Sequence, residues 1–162
     1  MAVATRVVAK TLVDDLEHLY RRVESGRNYC KKENDGWRIS SSAFDDRHLK
    51  PSVDRASLRD NDPVKTQFDR QDGVALLIAS EVRQISKQGL DPEPQEGGSK
   101  LVTYHVDVLH RPEPENPAHS QVEPTPPYKT PSVFKRIREA LARLAAKRPW
   151  LIEPEEIRSD KS

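Results

Sequence analysis

The chain is poor in the features that usually fix a protein's class. It has one cysteine, Cys30, in 162 residues. A single thiol cannot close an internal disulfide or build a four-cysteine zinc site. Its surroundings, RNYCKKENDG, are polar, which places it in an exposed loop of a protein kept in a reducing compartment. No apolar run approaches the roughly 20 residues of a membrane-spanning helix. The opening MAVATRVVAKTLVDD meets Asp14 and Asp15 before any long apolar stretch, unlike a secretory signal. Cytoplasmic placement is therefore the expectation. An excess of one charge is missing too: Lys+Arg 27 stand against Asp+Glu 26. Nucleic acid remains possible as a partner, but net charge does not indicate it. The phosphate loop G-x-x-x-x-G-K-[ST], the dinucleotide fingerprint G-x-G-x-x-G, the redox pair C-x-x-C and the nucleophile elbow G-x-S-x-G are all lacking. These absences disfavour P-loop hydrolysis, dinucleotide binding and elbow-type hydrolases.

Charge and proline are plentiful. Charged residues make up 33% of the chain, hydrophobic residues 35%, and there are 13 prolines. That balance describes a modest core under long surface loops, in one domain over residues 1–152 with a charged tail at 153–162.

Val8, Leu12, Leu16, Leu19 and Val23 recur at helical spacing, so the pattern predicts a helix over residues 5–20, with a strand from Leu19 (LYRRV) as the competing reading. Residues 37–40 alternate as a short strand, residues 52–54 as another, and residues 56–63 read as a helical turn. VALLIASEVRQI predicts a helix stopped by Gly89; its rival is a buried strand over 74–79 and then one helical turn. QGLDPEPQEGGSK is a loop by composition. Residues 101–109 alternate cleanly, with Val102, Tyr104, Val106 and Val108 on one face. Residues 111–131 are so rich in proline that neither a central strand nor a helix is expected there. Residues 132–147 predict a last helix with an apolar face of Phe134, Ile137, Leu141, Leu144 and Ala145. The predicted fold is α+β: a small mixed or antiparallel sheet flanked by two or three helices, with long proline-rich loops.

Chemistry concentrates in WRISSSAFDDRHLKPSVDR, residues 37–55, anchored by Trp37 and Phe44. Arg38, Ser41 and Ser42 could orient a phosphate or ribose, although serines leaving a strand also bond their own backbone. Asp45, Asp46, His48 and Asp54 are oxygen and imidazole ligand types, but their spacing fits no metal loop, so neither a metal nor another cofactor is expected. Ser52, Asp54 and His119 include a nucleophile, an orienter and a base, without an oxyanion hole. His119, just past the Asn-Pro of NPAH, sits in restricted backbone and can act as acid or base near neutral pH. Arg21, Arg22 and Arg55 are candidate anion contacts, although arginines at a helix end also serve the helix dipole. Lys135, Arg136, Arg138 and Arg143 form the basic face of the last helix and a candidate partner surface.

The succession L-Y-R-R at 19–22, R-x-S-S-x-A-F at 38–44, S-V-D-R at 52–55 and P-x-N-P-A-H at 114–119 resembles small bacterial proteins without a defined activity. The resemblance spans roughly residues 19–122 and departs over the loop at 45–50 and the prolines after His119. It implies that the four segments share one fold and no more. The order of arginine, then serines, is also similar to ADP-ribosyltransferase-like folds, yet no glutamate stands where such an enzyme needs one. The expected function is a cytosolic protein-interaction module in a multi-protein bacterial assembly, of a defence or toxin type. The alternative is a small enzyme acting on a nucleotide or nucleic acid through Arg38, Ser41, Ser42, Asp54 and His119.

Overall fold

The computed structural model describes residues 12–26, 29–34, 36–91, 98, 100–128 and 131–156. Among them are eight strands: β1 His18–Val23, β2 Cys30–Glu33, β3 Gly36–Ile39, β4 Ser52–Arg55, β5 Gly73–Ile78, β6 Ser86–Leu90, β7 Leu101–His110 and β8 His119–Thr125. Two α-helices, α1 Ala79–Arg83 and α2 Pro131–Ala146, and 3-10 turns at Ser41–Phe44, Ala56–Arg59 and Pro63–Thr66 complete the elements. Six strands pair antiparallel in the order β5-β1-β4-β8-β7-β6, and β2 and β3 form a separate ribbon. The expected α+β layout, a sheet flanked by two or three helices, is thus corrected to a mostly sheet structure with two helices, one of them of five residues.

The larger core cluster lies on one face of this sheet, and a smaller one of Tyr20, Ala56, Val74 and Leu76 on the other. Alternation in β7 sends Tyr104, Val106 and Val108 inward, each 3% exposed or less. α2 covers them with Val133 and with Phe134, Ile137 and Leu141 of the face its spacing predicts. Phe44 is fully buried beneath the same layer, while Trp37 packs on its margin. Gly89 does not stop a helix. It lies inside β6, where a Cβ would collide with the Val133 side chain, so glycine lets α2 sit close on the sheet.

Four local readings change, each for a tertiary reason. Residues 12–17 are not helical and LYRRV belongs to β1, the competing reading; residues 5–11 of the expected helix lie outside the described residues. Leu19 and Val23 fit a three-and-four spacing, but they also fall on one face of a strand. VALLI is β5 and only Ala79–Arg83 turns helical, because the run is buried on both faces, under α2 on one side and beside Ala56 and Ile152 on the other. The proline-rich stretch contains β8, a central strand with β4 and β7 as neighbours. Pro124 is tolerated there. The Val122 amide points to the β4 side, donating to the Pro51 carbonyl, and by the two-residue period the Pro124 nitrogen faces that side beyond the end of β4. Finally, Cys30 is buried in β2 opposite Ile39, and burial raises its thiol pKa.

The last described residues are tied down. Pro154 lies against Gly73, the Glu155 amide donates to Gln71, and Ser25 Oγ donates to the Glu155 carbonyl. No described helix is long and apolar enough to cross a membrane.

Candidate functional site

The site arises from a break in the sheet. β1 and β4 pair over only Leu19↔Arg55 and Tyr20↔Asp54. Beyond Tyr20, β1 follows β5 to Val23, while Ser52 and Val53 stay with β8. The two strands diverge, and a concavity of about 480 Å³ opens between them. Divergence strips backbone carbonyls of their ladder partners, and these must be satisfied elsewhere. Arg21 does so. Its Nε and Nη2 donate to the Ala43 carbonyl at 2.9 and 2.6 Å, and Nη1 donates to the Ser52 carbonyl at 2.7 Å. Among the described residues, no carboxylate is bonded to this guanidinium. Burial, helped by the charge of Arg22, lowers its pKa to about 10.

One wall is locked through Asp54, 7% exposed. Its Oδ2 accepts from Thr66 Oγ1 at 2.9 Å and Arg59 Nε at 3.0 Å, and its Oδ1 accepts from Asn116 Nδ2 at 2.9 Å. Asn116 Oδ1 in turn accepts from the Ala118 amide. One buried carboxylate therefore ties β4 to the 63–66 turn and to the hairpin before β8. His119 sits opposite Asp54 in the ladder. Its Nδ1 lies 2.8 Å from the Arg111 carbonyl and 3.2 Å from Glu113 Oε1. Both partners only accept, so Nδ1 carries a proton, and in the neutral tautomer the lone pair is on Nε2.

The rim is aromatic. Arg22 reaches Asp72 at 3.3 Å and lies over the Phe68 ring at 3.9 Å. Phe68 itself is 82% exposed. Carboxylates outnumber guanidiniums among the lining residues, with Asp45, Asp46, Glu113 and Glu115 around the mouth.

Of the sequence candidates, Arg22, Asp45, Asp46, Ser52, Asp54 and His119 line this cleft. Arg38 does not. It stands exposed on the β2–β3 ribbon, paired with Glu33 at 2.9 Å, beside a separate hollow lined by Trp37 and Trp150. Ser41 and Ser42 lie in the turn behind the cleft; Ala43 lines it, and Ser42 Oγ is 2.6 Å from Ser40 Oγ. Arg55 is buried and grips Glu17 with two bonds of 2.9 and 2.8 Å, so it faces inward rather than toward a ligand. Lys135, Arg136 and Arg143 are exposed on α2, with Arg136 donating to the Gln88 carbonyl. Arg138 is tucked over the Phe134 ring and 3.6 Å from Asp45. Among the described residues, no three His, Cys, Asp or Glu side chains are grouped to hold a metal.

Sequence reasoning passed over Arg59, Thr66, Phe68 and Asn116, and it placed Arg21 with Arg22 as an anion contact, whereas Arg21 is turned to backbone carbonyls. Asn116 carried a signal, since NPAH drew attention to its histidine alone. Thr66 and Phe68 carried none, because only the chain's return from β4 brings them to the cleft. Neither a family model nor a curated protein nor a solved structure matches the chain.

Proposed function

We propose that the chain is an interaction module of a multi-protein assembly and that its partner enters the β1–β4 cleft. The observation that carries this reading is Phe68, a large aromatic 82% exposed at the mouth of a polar concavity and held there by the Arg22 guanidinium. Aromatic and arginine side chains at the margin of a hollow are typical anchors of protein interfaces. The distribution of reactive groups supports it: Arg38, Ser41 and Ser42 lie outside the cleft, and both oxygens of Asp54 are engaged in holding the fold. The test is capture of partners from native-host extract by the tagged chain and two variant sets. Phe68→Asp should lose the specific partner, while Lys135→Glu with Arg143→Glu should retain it. The reverse pattern moves the interface to the basic face of α2.

One observation favours a second reading, a small enzyme acting on a nucleotide or nucleic acid. His119 is oriented by Glu113 and Arg111 with Nε2 free to accept a proton. Turnover of mononucleotides or RNA by the parent chain, lost in His119→Asn, would establish it. No turnover by the parent removes it.

A further inference from the structure

The six-stranded sheet has two edges, and the chain closes one of them. At β5, the Leu151 and Ile152 amides donate to the Val74 carbonyl and the Val74 amide donates to Ile152, so the last described segment covers that side. At the other edge β6 is the outermost strand, with β7 inside it and, among the described residues, no strand beyond it. The Asp91 amide donates to the Lys100 carbonyl of the neighbouring strand, so Asp91 points toward β7. By the two-residue period Gly89 and Lys87 point there too, and Ser86, Gln88 and Leu90 turn their amides and carbonyls outward. One of these groups is engaged. The Gln88 carbonyl accepts from Arg136 of α2, a side-chain donor standing where an added strand would place an amide.

An open edge is a template for pairing unless it is blunted. β6 has neither a proline nor a bulge, and its register with β7 is unbroken over Ser86–Leu90. What it has is charge on one side and apolar surface on the other. Alternation puts Lys87, opposite Tyr104, on the α2 side, and Arg136 reaches the same rim. Neither is bonded to a carboxylate among the described residues, Glu139 of α2 included. On the side away from α2, Leu90 and Leu101 face each other across the hairpin, 58% and 60% exposed. A strand laid along β6 meets cations with the side chains it turns toward α2 and leucines with those it turns away. A second copy of this chain does not fit that description, because pairing β6 with itself sets Lys87 and Arg136 against their own kind.

We propose that β6 accepts an extended acidic segment of a partner polypeptide as an added antiparallel strand. The segment alternates carboxylates, turned toward Lys87 and Arg136, with apolar side chains laid against Leu90 and Leu101. Its amide takes the Gln88 carbonyl, and the released Arg136 guanidinium pairs with a carboxylate. This surface is separate from the β1–β4 cleft, since β8 and β7 intervene, and it stands whether or not the cleft holds a partner.

The probe is acetyl-Glu-Val-Glu-Val-Glu-Val-Glu-amide, titrated into the full chain and followed by amide chemical shifts and amide exchange. In the antiparallel arrangement, residues opposite Gln88 and Leu90 carry the backbone bonds, and residues opposite Gly89 and Lys87 carry the carboxylates. N-methylation of the valines should therefore abolish binding, while N-methylation of the inner glutamates should leave it. The expected result is saturable binding, with shifts and slowed exchange at the Ser86, Gln88 and Leu90 amides. The lysine-for-glutamate peptide, and the Lys87→Glu, Arg136→Glu double variant, should weaken binding by roughly tenfold or more. Gln88→Pro removes an outward donor and no ladder bond, so it should lose binding while shifts elsewhere stay in place. Equal affinity for the two methylated peptides, or for the lysine peptide, overturns the proposal. So does an absence of binding, or shifts confined to the β1–β4 cleft. A concentration-dependent dimer showing the same shifts without peptide makes a second copy the occupant, and tighter binding of an oligouridylate makes the cations a phosphate contact. Either overturns it too.

Discussion

Asp54→Asn is the sharpest perturbation of this fold. The substitution keeps the shape of the side chain and replaces one acceptor by an NH2 group. Every direction Asp54 faces holds a donor: Asn116 Nδ2 at 2.9 Å on one oxygen, Thr66 Oγ1 at 2.9 Å and Arg59 Nε at 3.0 Å on the other. Whichever way the new amide turns, its NH2 meets a donor. If it turns toward Arg59 and Thr66, the arginine loses its counter-charge and the threonine its acceptor. If it turns toward Asn116, two NH2 groups face each other and the charge on Arg59 is still uncompensated. Hydrogen bonds to charged groups contribute about 1.5–3 kcal/mol each, and breaking a buried pair from one side costs about 3–5 kcal/mol. The side chain is 10% exposed, so water relieves little of this. The expected loss is about 3–5 kcal/mol in urea unfolding, or roughly 6–20 °C in Tm at about 2–4 °C per kcal/mol. Asp54→Ala combined with Asn116→Ala should show a coupling of about 1 kcal/mol or more. A loss below about 1 kcal/mol for Asp54→Asn would refute the claim that this carboxylate holds the cleft wall.

Phe44→Ala should cost about 3–5 kcal/mol by thermal or chemical unfolding, since the ring is fully buried and touches the floor of the cleft through Arg21. Gly89→Ala should cost about 1–3 kcal/mol, because the new methyl enters the space of Val133; Gly89→Ala with Val133→Ala should recover part of the loss. His110 makes stability depend on pH. It is buried at the end of β7 with no hydrogen-bond partner for either ring nitrogen among the described residues, and burial, then the charge of Arg55, lowers its pKa. Glu17 pulls the other way and His119 with Arg55, but the net direction is down. A depressed folded pKa leaves the native histidine neutral while the unfolded one gains a proton below about 6.5, so this contribution is complete above that pH and falls away as the pH drops. Urea midpoints between pH 7.5 and 5.5 should fall less steeply in His110→Phe than in the parent.

Local alternation was enough to read β7, and the apolar stripe of Phe134, Ile137 and Leu141 was enough to read α2, because each pattern persists over ten residues or more. β1 and β5 were less legible. Leu19 and Val23 satisfy both periods, and VALLI is apolar throughout because helix and turn cover its two faces, so periodicity carries no information there. The strand in the proline-rich stretch could not be read, because the tolerance of Pro124 depends on where β4 ends. The site was half legible. Asp54 and His119 stood out by residue type and meet across β4 and β8. Ser41 and Ser42 stood out for the same reason and lie behind the wall, whereas Ser52 lines it. Arg55 looked like an anion contact, yet its partner Glu17 is 38 residues away in sequence and closes an internal pair.

The seam between β1 and β4 divides the sheet mechanically. One plate is β5 with β1, joined over six residue pairs, and the other is β4, β8, β7 and β6. Only two pairs join them in the ladder. α2 touches β6 on one plate and β5 on the other, like a splint across a joint, and Arg21 stitches the open side. The twist between the plates, and with it the width of the cleft, is therefore governed by α2 and one arginine more than by sheet hydrogen bonds. Amide exchange should register this: in Arg21→Met, protection should fall at Tyr20, Asp54 and their neighbours along the seam while the β6–β7 ladder keeps its own.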